Sequence, residues 1–569
     1  MPKTSSRKKS EGDSGDEVTI SSSDSTDSAN GPSAENFEDL LKICGEAGFW
    51  QFKVFMLASF CGFMTALHNL VYAFIGAIPS HWCKLPTNAY PDYSLENLKN
   101  LTLPRDAEGE YEKCQHFGVN GNWDTGNFSL GDIDTSKIVG CDAYDYDKSI
   151  FQTTIASEWN LVCGDEGWTS TVQAMYMFGI LCGSPIFGAL SDKLGRKKTI
   201  LMATVVFIIA APLVALAPNF TLMMLGRFIL GASSPGIYGT SYVLVIESMG
   251  MDWRGLAGNL FCLPFAVGYM ALPAVAYFIR SWRPLQLALS VPAIILLLTW
   301  WLLPESPRWL IRQGRFAEAE VILRDMARSN KKLASLPSNF SELTARIADQ
   351  EKQEIKKVTW KSRVTGLLAG YADLVRSPRM RVRTLVIYFS WMSISMVYYG
   401  IALNAPNLSA DKYIYTFISG VLEVPSYFMV PPLIRYIGRR PVFCGFLLIC
   451  GTSLLSSLAF SQGSVLIVIL ALFGKLVIGA AYALVYLYAT EVYPTLLRTY
   501  GLGTSSMIGR IGSVLAPFIV DVVGKGNKTY PTLIFGAVSL IAGFLSILLP
   551  ETRNKRLPET VKDVEENKG

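Results

Sequence analysis

Long apolar runs recur along most of this chain and limit its fold more than any other feature. A helix of about 20 apolar residues spans the roughly 30 Å of hydrocarbon in a bilayer. Half of the 569 residues are hydrophobic, 17% are charged, and the mean hydropathy is +0.30. The chain therefore reads as an all-α membrane protein with 12 transmembrane helices. The approximate bounds of the runs are 53–78, 169–190, 200–217, 221–245, 258–279, 284–303, 383–403, 413–434, 442–460, 464–488, 502–523 and 531–549.

The charges of the connecting segments predict the orientation. Residues 191–198, 304–382 and 436–440 are basic, and each segment follows an even-numbered run. Because short loops rich in Lys and Arg stay on the cytoplasmic side, both termini are expected to be cytoplasmic. The formal net charge of +5 is then the sum of basic inner loops and an acidic outer loop. It gives no reason to expect a nucleic-acid partner.

Residues 81–168 form a large loop between the first two runs, which this orientation places outside the cell. Four cysteines in an oxidising compartment suggest two disulfides, in any of three pairings. Asn100 in NLT and Asn127 in NFS are acceptors for N-glycosylation, which agrees with an extracellular loop. The four cysteines are Cys83, Cys114, Cys141 and Cys163.

The remaining segments have the composition of tails and linkers. Residues 1–38 are rich in Ser, Asp, Glu, Lys and Gly, which predicts a disordered cytoplasmic tail. The first apolar run lies too far from the start to be a cleaved signal peptide. Residues 304–382 contain two amphipathic, charged segments that read as short cytoplasmic helices, and residues 551–569 form a second cytoplasmic tail.

An internal repeat divides the chain into two six-helix halves, residues 39–303 and 383–550. Three short motifs recur at separations of 243 to 246 residues. Their matching members are Gly195 and Gly438, Glu247 and Glu491, Arg254 and Arg498, and the PES at 304–306 and PET at 550–552. Two duplicated halves around a central cavity are typical of transporters that work by alternating access.

The first of these motifs also carries a resemblance. The pattern G-x-x-x-D-x-x-G-R-K-K from Gly188 to Lys198 resembles the signature loop of the major facilitator superfamily. The resemblance implies that paired charges on the cytoplasmic face hold the halves together when the outside is open. These predicted gate residues are Asp192, Arg196, Glu247, Arg254, Glu305, Arg439, Glu491 and Arg498. The alternative is that the charges only fix the loops on the inner side.

Longer motifs narrow the family. The large cysteine-bearing loop, its flanks PSHWC and SEWNLVC, and the stretch PESPRWLIRQGRFAEAE resemble the organic cation, anion and zwitterion transporters, solute carrier family twenty-two. The resemblance covers nearly everything after residue 38. LEVPSY at 422–427 and SSMIGRIGSVLAPF at 505–518 look most like the carnitine-type branch. Membership would imply a plasma-membrane carrier.

Arg510 is a permanent cation near the middle of the run 502–523. An arginine at a helix centre costs about 2.5 to 3.5 kcal/mol on insertion scales, and such residues usually face a cavity or a partner. In the family, the resemblance implies arginine here in carriers of anions or of carnitine-like zwitterions. Arg510 is therefore expected to bind a substrate carboxylate, for which its planar guanidinium is well suited. The alternative is a structural cation bonded to its own helices.

Two further charges lie inside apolar runs. Lys475 could assist Arg510, tune it by repulsion, or serve structure only. Glu423 matches an acidic position of the family's cation and carnitine carriers, and it could bind a substrate ammonium. A zwitterion would then meet an opposite charge at each end. Alternatively, Glu423 pairs with Lys475 or Arg510, and the pair merely neutralises these charges.

Aromatic residues and one histidine complete the predicted site. Aromatic faces attract ammonium groups, and the resemblance places Trp391, Tyr398 and Tyr413 along the substrate cavity. His68 departs from the carnitine branch, where the matching residue looks like asparagine. It could bind a carboxylate or couple transport to pH, or it could be satisfied by a neighbouring helix.

The sequence thus favours a monomeric plasma-membrane carrier of small organic zwitterions or cations, carnitine-like or derived from amino acids. An organic-anion exchanger that uses Arg510 and Lys475 is the alternative, and a non-transporting receptor or scaffold is more remote. No nucleophile, metal or phosphate-loop pattern suggests an enzyme or a cofactor. The coupling ion, sodium or proton, is left open.

Overall fold

The structure is a computed structural model. It describes residues 36–566 apart from 86, 88–89, 106–108, 120–132, 357–369, 409–410, 462, 495–496, 556–557 and 559–560. The tail prediction for residues 1–35 and the glycosylation acceptor Asn127 lie outside the described residues.

The described part of the chain contains twelve apolar helices, which confirms the predicted membrane fold. We number them span 1 to span 12. Eleven are 19 to 29 residues long, and the twelfth has 17 residues. Their bounds are Phe49–Ile75, Gly167–Leu194, Arg196–Leu216, Phe220–Ser248, Met251–Phe278, Trp282–Leu302, Pro378–Leu403, Lys412–Tyr436, Arg439–Ser457, Val465–Val492, Arg498–Gly526 and Tyr530–Ser546.

Small residues allow spans 2 and 4 to pack backbone against backbone. A Cβ atom built on Gly179 would lie 2.2 Å from the carbonyl oxygen of Phe228, and one on Gly183 would lie 2.0 Å from that of Ala232. Gly231 on the facing helix is equally close to Tyr176, at 2.1 Å. In a bilayer, where apolar surfaces gain little by leaving lipid, such close approach drives helix association.

The large connection between spans 1 and 2 forms a small folded unit, and we call its side of the molecule the loop side. Strand β1 (His81–Cys83) pairs with β4 (Tyr144–Tyr146), and β2 (Gln115–Val119) pairs with β3 (Ile133–Gly140), both antiparallel. Helices Leu95–Thr102 and Ile155–Glu158 complete the unit. Asn100 is exposed on the first of these helices.

Disulfides fix this unit in one of the three possible pairings. Cys83 is joined to Cys141, and Cys114 is joined to Cys163. Cys83 lies at the end of β1 and Cys141 directly follows β3, so the first bridge ties the two small sheets together. The backbone oxygen of Cys163 accepts a hydrogen bond of 2.6 Å from Lys525 of span 11. The folded loop is therefore attached to the second half as well as to the first.

The opposite side, which we call the linker side, carries short helices packed on the first half. Helices Phe37–Cys44, Pro307–Arg312, Phe316–Ser329 and Phe340–Lys356 lie there. Leu40, Leu310, Leu323 and Phe340 share a buried cluster with residues of spans 1 and 4. Helix Phe37–Cys44 begins inside residues 1–38, the segment that the sequence analysis assigned to the tail.

Two further helical pieces complete the linker side. Residues 370–376 are helical and lead into span 7, and helix Val561–Glu566 contacts the start of that span. Short 3-10 turns occur at Leu333–Ser335 and Ala405–Leu408. Within the spans, Val291–Leu298 of span 6 is wound as a 3-10 helix and Ile519–Val523 of span 11 as a π-helix.

Candidate substrate site

Glu423 and Lys475 form an ion pair inside the second half. The Lys475 ammonium of span 10 lies 3.1 Å from the Glu423 carboxylate of span 8, and the two side chains are only 1% and 2% exposed. The second carboxylate oxygen accepts a hydrogen bond of 3.1 Å from the Tyr427 hydroxyl. The geometry therefore gives the pairing that the sequence left as one of two alternatives.

Aromatic faces surround the ammonium of this pair. The Lys475 nitrogen lies 3.1 Å from the centroid of the Tyr398 ring and 5.5 Å from that of Tyr269. A ring face attracts a cation through its quadrupole, and the attraction is larger where water is excluded. Glu423, Tyr398 and Tyr269 thus form a corner, an environment that favours an ammonium group, and the Lys475 ammonium occupies it in this conformation.

Glycines bring span 11 into contact with span 7 beside Arg510. A Cβ atom on Gly509 would lie 3.1 Å from the Trp391 ring, and one on Gly512 would lie 2.2 Å from the backbone oxygen of Met392. At Gly512 only a residue without a side chain permits this approach, and at Gly509 a side chain would crowd the ring. The sequence IGRIG therefore sets Arg510 against the aromatic residues of span 7.

Arg510 is half-buried and lies beside three tyrosines. It interacts electrostatically with Tyr399 of span 7, with which it also forms a hydrogen bond, and with Tyr482 and Tyr486 of span 10. In the described part of the chain, no carboxylate lies within ion-pair distance of its guanidinium. A buried cation needs a compensating partner, and neutral hydroxyls compensate only part of its charge.

Trp391 and the tyrosines form one connected cluster around this cation. Ring centroids are 4.5 Å apart for Trp391 and Tyr486, 5.3 Å for Tyr398 and Tyr482, and 5.2 Å for Tyr398 and Tyr399. The indole nitrogen of Trp391 is buried and has no hydrogen-bond partner in the described structure. The cluster thus places an unpartnered N–H donor and a guanidinium among the same aromatic rings.

His68 lies in the packing of the first half, not beside Arg510, and its contacts match the alternative in which a neighbouring helix satisfies it. It is fully buried, with one ring nitrogen 3.3 Å from the Leu289 oxygen and the other 3.2 Å from the Gln286 amide. The Phe207 ring packs edge-on against it at 4.9 Å. Span 6 therefore satisfies both ring nitrogens and leaves none for a ligand.

Tyr413 lies at the loop-side end of span 8. Its ring packs near Phe74 at 5.4 Å, Tyr277 at 5.5 Å and Phe151 of the loop at 6.3 Å. Ten residues of helix, about 15 Å, separate it from Glu423. The structure brings Trp391 and Tyr398 to the Arg510 cluster and leaves Tyr413 in a separate aromatic group on the loop side.

Contacts between the halves close the loop side, and the sequence analysis missed the residues that make them. Asp521 of span 11 accepts hydrogen bonds of 2.7 Å from Tyr72 and 2.8 Å from Ser170, both of the first half. Lys525 lies 2.9 Å from Glu166. A charge inside an apolar run, the criterion that singled out Arg510, also applies to Asp521 and could have found it.

Deeper in the molecule, a polar contact links the first half to the Arg510 cluster. The Asn69 amide donates a hydrogen bond of 3.1 Å to the Tyr399 hydroxyl. Arg227 of span 4 is a fully buried cation that donates a hydrogen bond of 2.7 Å to the Gln173 side chain. Gln173 in turn donates a hydrogen bond of 3.0 Å to the Asn69 backbone oxygen. The same in-span charge criterion could have found Arg227.

The predicted gate residues form two equivalent clusters on the linker side, one in each half. Arg196 binds Glu247 through two nitrogens at 2.8 and 2.9 Å and Asp192 at 3.0 Å. Arg439 binds Glu491 in the same way at 3.2 and 3.3 Å. This correspondence follows the sequence repeat. The ion pairs that these gate residues form in the described structure lie within a half, so the predicted joining of the halves in the outward-open state stays a prediction.

Glu305 and its repeat partner Glu551 bind backbone instead of side chains. Glu305 accepts from the backbone N–H groups of Arg196 and Lys197 at 2.8 and 3.1 Å, and Glu551 from those of Arg439 and Arg440, each at 3.0 Å. Burial raises the pKa of Glu305, although the backbone donors oppose the shift. Both carboxylates therefore cap the first turn of spans 3 and 9.

The last two predicted gate residues, Arg254 and Arg498, lie outside the Arg196 and Arg439 ion-pair clusters. Arg254 pairs with Glu38 at 2.8 Å, and Glu38 also pairs with Arg308 at 3.0 Å. Arg254 thus holds helix Phe37–Cys44 on the linker side, a role that the sequence analysis did not foresee because it treated Glu38 as part of the tail. Arg498 begins span 11 on the same side.

The comparisons agree with this architecture. Residues 54–563 match the family described as "Sugar (and other) transporter". An organic cation transporter protein of Drosophila melanogaster is 36% identical over 93% of this chain and 94% of its own length. The human organic cation/carnitine transporter 2 is 32% identical over 94% and 95%, and a β-alanine transporter of Drosophila melanogaster is 32% identical over 93% and 89%.

Among solved structures, the xylose transporter XylE of E. coli in its inward-open conformation has a TM-score of 0.58 at 18% identity, covering 90% of this chain and 99% of that one. This similarity supports the fold alone, a two-half bundle of twelve spans. The chain therefore belongs to the sugar (and other) transporter family and, within it, to solute carrier family 22.

Proposed function

We propose that the protein carries small organic zwitterions across the plasma membrane by alternating access, with an amine at one end and a carboxylate at the other. Compounds like carnitine or β-alanine have this chemistry, and transporters of both are among the relatives. The linker side then faces the cytoplasm, as the charges of the connecting segments predict.

The single observation that carries this proposal is the surroundings of Arg510. Its guanidinium sits inside the bundle among tyrosine hydroxyls, and no described carboxylate pairs with it. A substrate carboxylate would supply the missing charge and could accept two parallel hydrogen bonds from the planar guanidinium. The unpartnered Trp391 indole N–H is a further donor in the same cluster.

The amine end has a matching environment in the corner of Glu423 and Tyr398. Lys475 already places an ammonium there, 3.1 Å from both the carboxylate and the ring centroid. A substrate ammonium would bind the neighbouring aromatic faces and share Glu423 with Lys475. Each aromatic contact contributes on the order of 0.5 to 2 kcal/mol once desolvated.

A second candidate, organic-anion exchange, is favoured by one specific observation. Because Lys475 neutralises Glu423 in the ion pair, Arg510 gives the site a formal charge of +1. A substrate with a carboxylate and no amine would balance that charge. The two candidates differ in whether the amine contributes to recognition.

Uptake of three compounds that differ at one end tests both. Cells expressing the chain are given labelled β-alanine, propionate, which lacks the amine, or propylamine, which lacks the carboxylate, with and without sodium. The zwitterion proposal expects β-alanine to be taken up and to be inhibited only weakly by the other two. Propionate uptake equal to that of β-alanine would favour anion exchange instead.

The role of Arg510 is tested by R510Q and R510K at matched surface density, measured by biotinylation. Loss of a charge-assisted bidentate contact, about 1.5 to 3 kcal/mol, predicts uptake about ten- to a hundredfold lower in R510Q. R510K keeps the charge but not the planar guanidinium that binds a carboxylate through two hydrogen bonds, so we expect partial activity. The control is R376Q, since the Arg376 side chain is 83% exposed. β-Alanine uptake by R510Q at the wild-type rate would contradict the proposal.

A further inference from the structure

A cavity of about 510 Å³ opens on the linker side of the second half. It lies where the first turns of spans 7 and 9 meet the chain that follows span 12. This place is far along the helices from the Arg510 cluster, because Arg383 and Trp391 of span 7 are separated by eight residues, about 12 Å. The volume is within the range of small-ligand sites, about 300 to 1,000 Å³.

Four cations and one carboxylate line the cavity. The cations are Arg379, Arg383, Arg440 and Lys555, and the carboxylate is Glu551. The formal charge of the lining is therefore +3. In the described part of the chain, neither Arg383 nor Arg440 forms an ion pair.

The nearby carboxylates are engaged by backbone groups. Burial alone would raise the pKa of Glu551, but the backbone N–H groups of Arg553, Arg439, Arg440 and Thr552 lower it. Glu565 of the last helix accepts from the N–H groups of Arg379 at 2.9 Å and Met380 at 3.4 Å. Each carboxylate thus caps a helix N-terminus, where anions are favoured, and the two guanidiniums keep their charge for another partner.

The lining of the cavity also contains exposed apolar side chains. Val382, Ile547 and Leu548 line the cavity, and they are 46%, 44% and 60% exposed. Exposed apolar side chains at the ends of two membrane spans face the acyl region of a bilayer. The lining therefore combines basic groups with exposed apolar side chains.

We propose that this cavity binds the phosphorylated headgroup of an anionic lipid of the inner leaflet, a phosphoinositide, with its acyl chains along Val382, Ile547 and Leu548. Basic pockets between membrane helices on the cytoplasmic side suit such headgroups. The guanidiniums of Arg383 and Arg440 bind the phosphates, and Lys555 and Arg379 add charge around them. Only the assignment to the inner leaflet rests on the orientation given in the proposed function.

Binding to the purified full-length chain tests the proposal without any transport assay, so its failure and that of the proposed function are distinguishable. The probe is a fluorescent short-chain phosphatidylinositol 4,5-bisphosphate, titrated into the protein in detergent. Each cation near an anionic headgroup contributes a factor of about five in affinity, corresponding to about 1 kcal/mol. R383Q/R440Q should therefore bind about 25-fold more weakly than the wild type.

Two matched variants separate charge from folding. R383K/R440K keeps both charges and should retain most of the affinity, and R376Q removes an exposed arginine outside the cavity and should bind like the wild type. Unfolding midpoints of all variants are measured without lipid. Because Gln is polar and both sites are partly exposed, we expect R383Q/R440Q to remain folded.

The competing ligands give the refuting outcomes. Phosphatidylcholine of the same chain length should not displace the probe. Soluble inositol 1,4,5-trisphosphate binding as tightly as the lipid would show a site for free polyphosphates and overturn the lipid assignment. Equal affinity of the wild type and R383Q/R440Q, or equal loss in R376Q, would overturn the site itself.

Discussion

Replacing Glu423 by glutamine tests the buried ion pair most directly. The substitution keeps the size of the side chain but leaves the Lys475 ammonium with only neutral groups around it among the described contacts: the Tyr398 ring at 3.1 Å, the Tyr269 ring at 5.5 Å and a backbone oxygen at 3.5 Å. These neutral groups do not balance a charge that is 1% exposed. We therefore expect E423Q to be strongly destabilised.

The magnitude follows from the geometry. Two unit charges 3.1 Å apart attract each other by about 5 kcal/mol at an effective dielectric constant of 20. Removing one partner of a buried pair typically costs about 3 to 5 kcal/mol, whereas replacing both by well-packed neutral residues is often nearly neutral. The double variant E423Q/K475M should therefore recover most of the stability that E423Q loses.

Thermal unfolding of purified protein in detergent measures this cycle for the wild type, E423Q, K475M and E423Q/K475M. A positive coupling, with the double variant more stable than E423Q, is the expected result. If E423Q unfolds at the same temperature as the wild type, the buried-pair reasoning is refuted.

The same variants separate structure from substrate binding. E423Q/K475M, brought to the wild-type surface density, should lose the preference for β-alanine over propionate if Glu423 also binds the substrate ammonium. A double variant that folds and keeps that preference would show that Glu423 serves structure only.

Three further outcomes can be checked on the same protein. G512A should lower both the unfolding temperature and uptake, because its Cβ would lie 2.2 Å from a backbone oxygen of span 7, whereas G503A, with no atom within 4 Å, should leave both unchanged. R254Q should release helix Phe37–Cys44 from the linker side, since the 2.8 Å pair with Glu38 is lost; faster limited proteolysis of that helix than in the wild type would show it. The pKa of Glu551 is lowered in the folded protein from its usual 4.5. The stability that this carboxylate contributes is therefore complete above about pH 4.5 and is lost as the pH falls through the folded pKa. Below about pH 4.5, the unfolding temperature of E551Q should accordingly fall less than that of the wild type.

Sequence alone found the elements and the repeat because both depend on local pattern. A run of about 20 apolar residues is a membrane span whatever it packs against. The PES and PET motifs are also local, and the structure shows Glu305 and Glu551 capping equivalent helices. The even number of loop cysteines limited the pairings to three, and the folded loop selected one.

Sequence reasoning failed where a side chain's neighbours come from distant parts of the chain. His68 drew attention because it departs from the carnitine branch, and the sequence left open whether it binds substrate or is satisfied by a neighbouring helix; its contacts with residues more than 200 positions away in span 6 favour the second. Asp521 and Arg227 were overlooked although they interrupt apolar runs in the same way. A charge inside a span indicates that the charge has a partner. Whether that partner is protein or substrate depends on the neighbours of the charge in the folded structure.

The sequence by itself determined that this chain crosses the membrane twelve times as two related halves, with Arg510, Glu423 and Lys475 in the hydrocarbon layer. Only the tertiary structure decided that Lys475 neutralises Glu423 while Arg510 keeps its charge among tyrosines. The physical reason is that insertion into a bilayer depends on the summed hydropathy of a contiguous segment, whereas ion pairing depends on a few ångströms between side chains of different helices. Packing details such as the approach of Gly512 to span 7 fix that spacing.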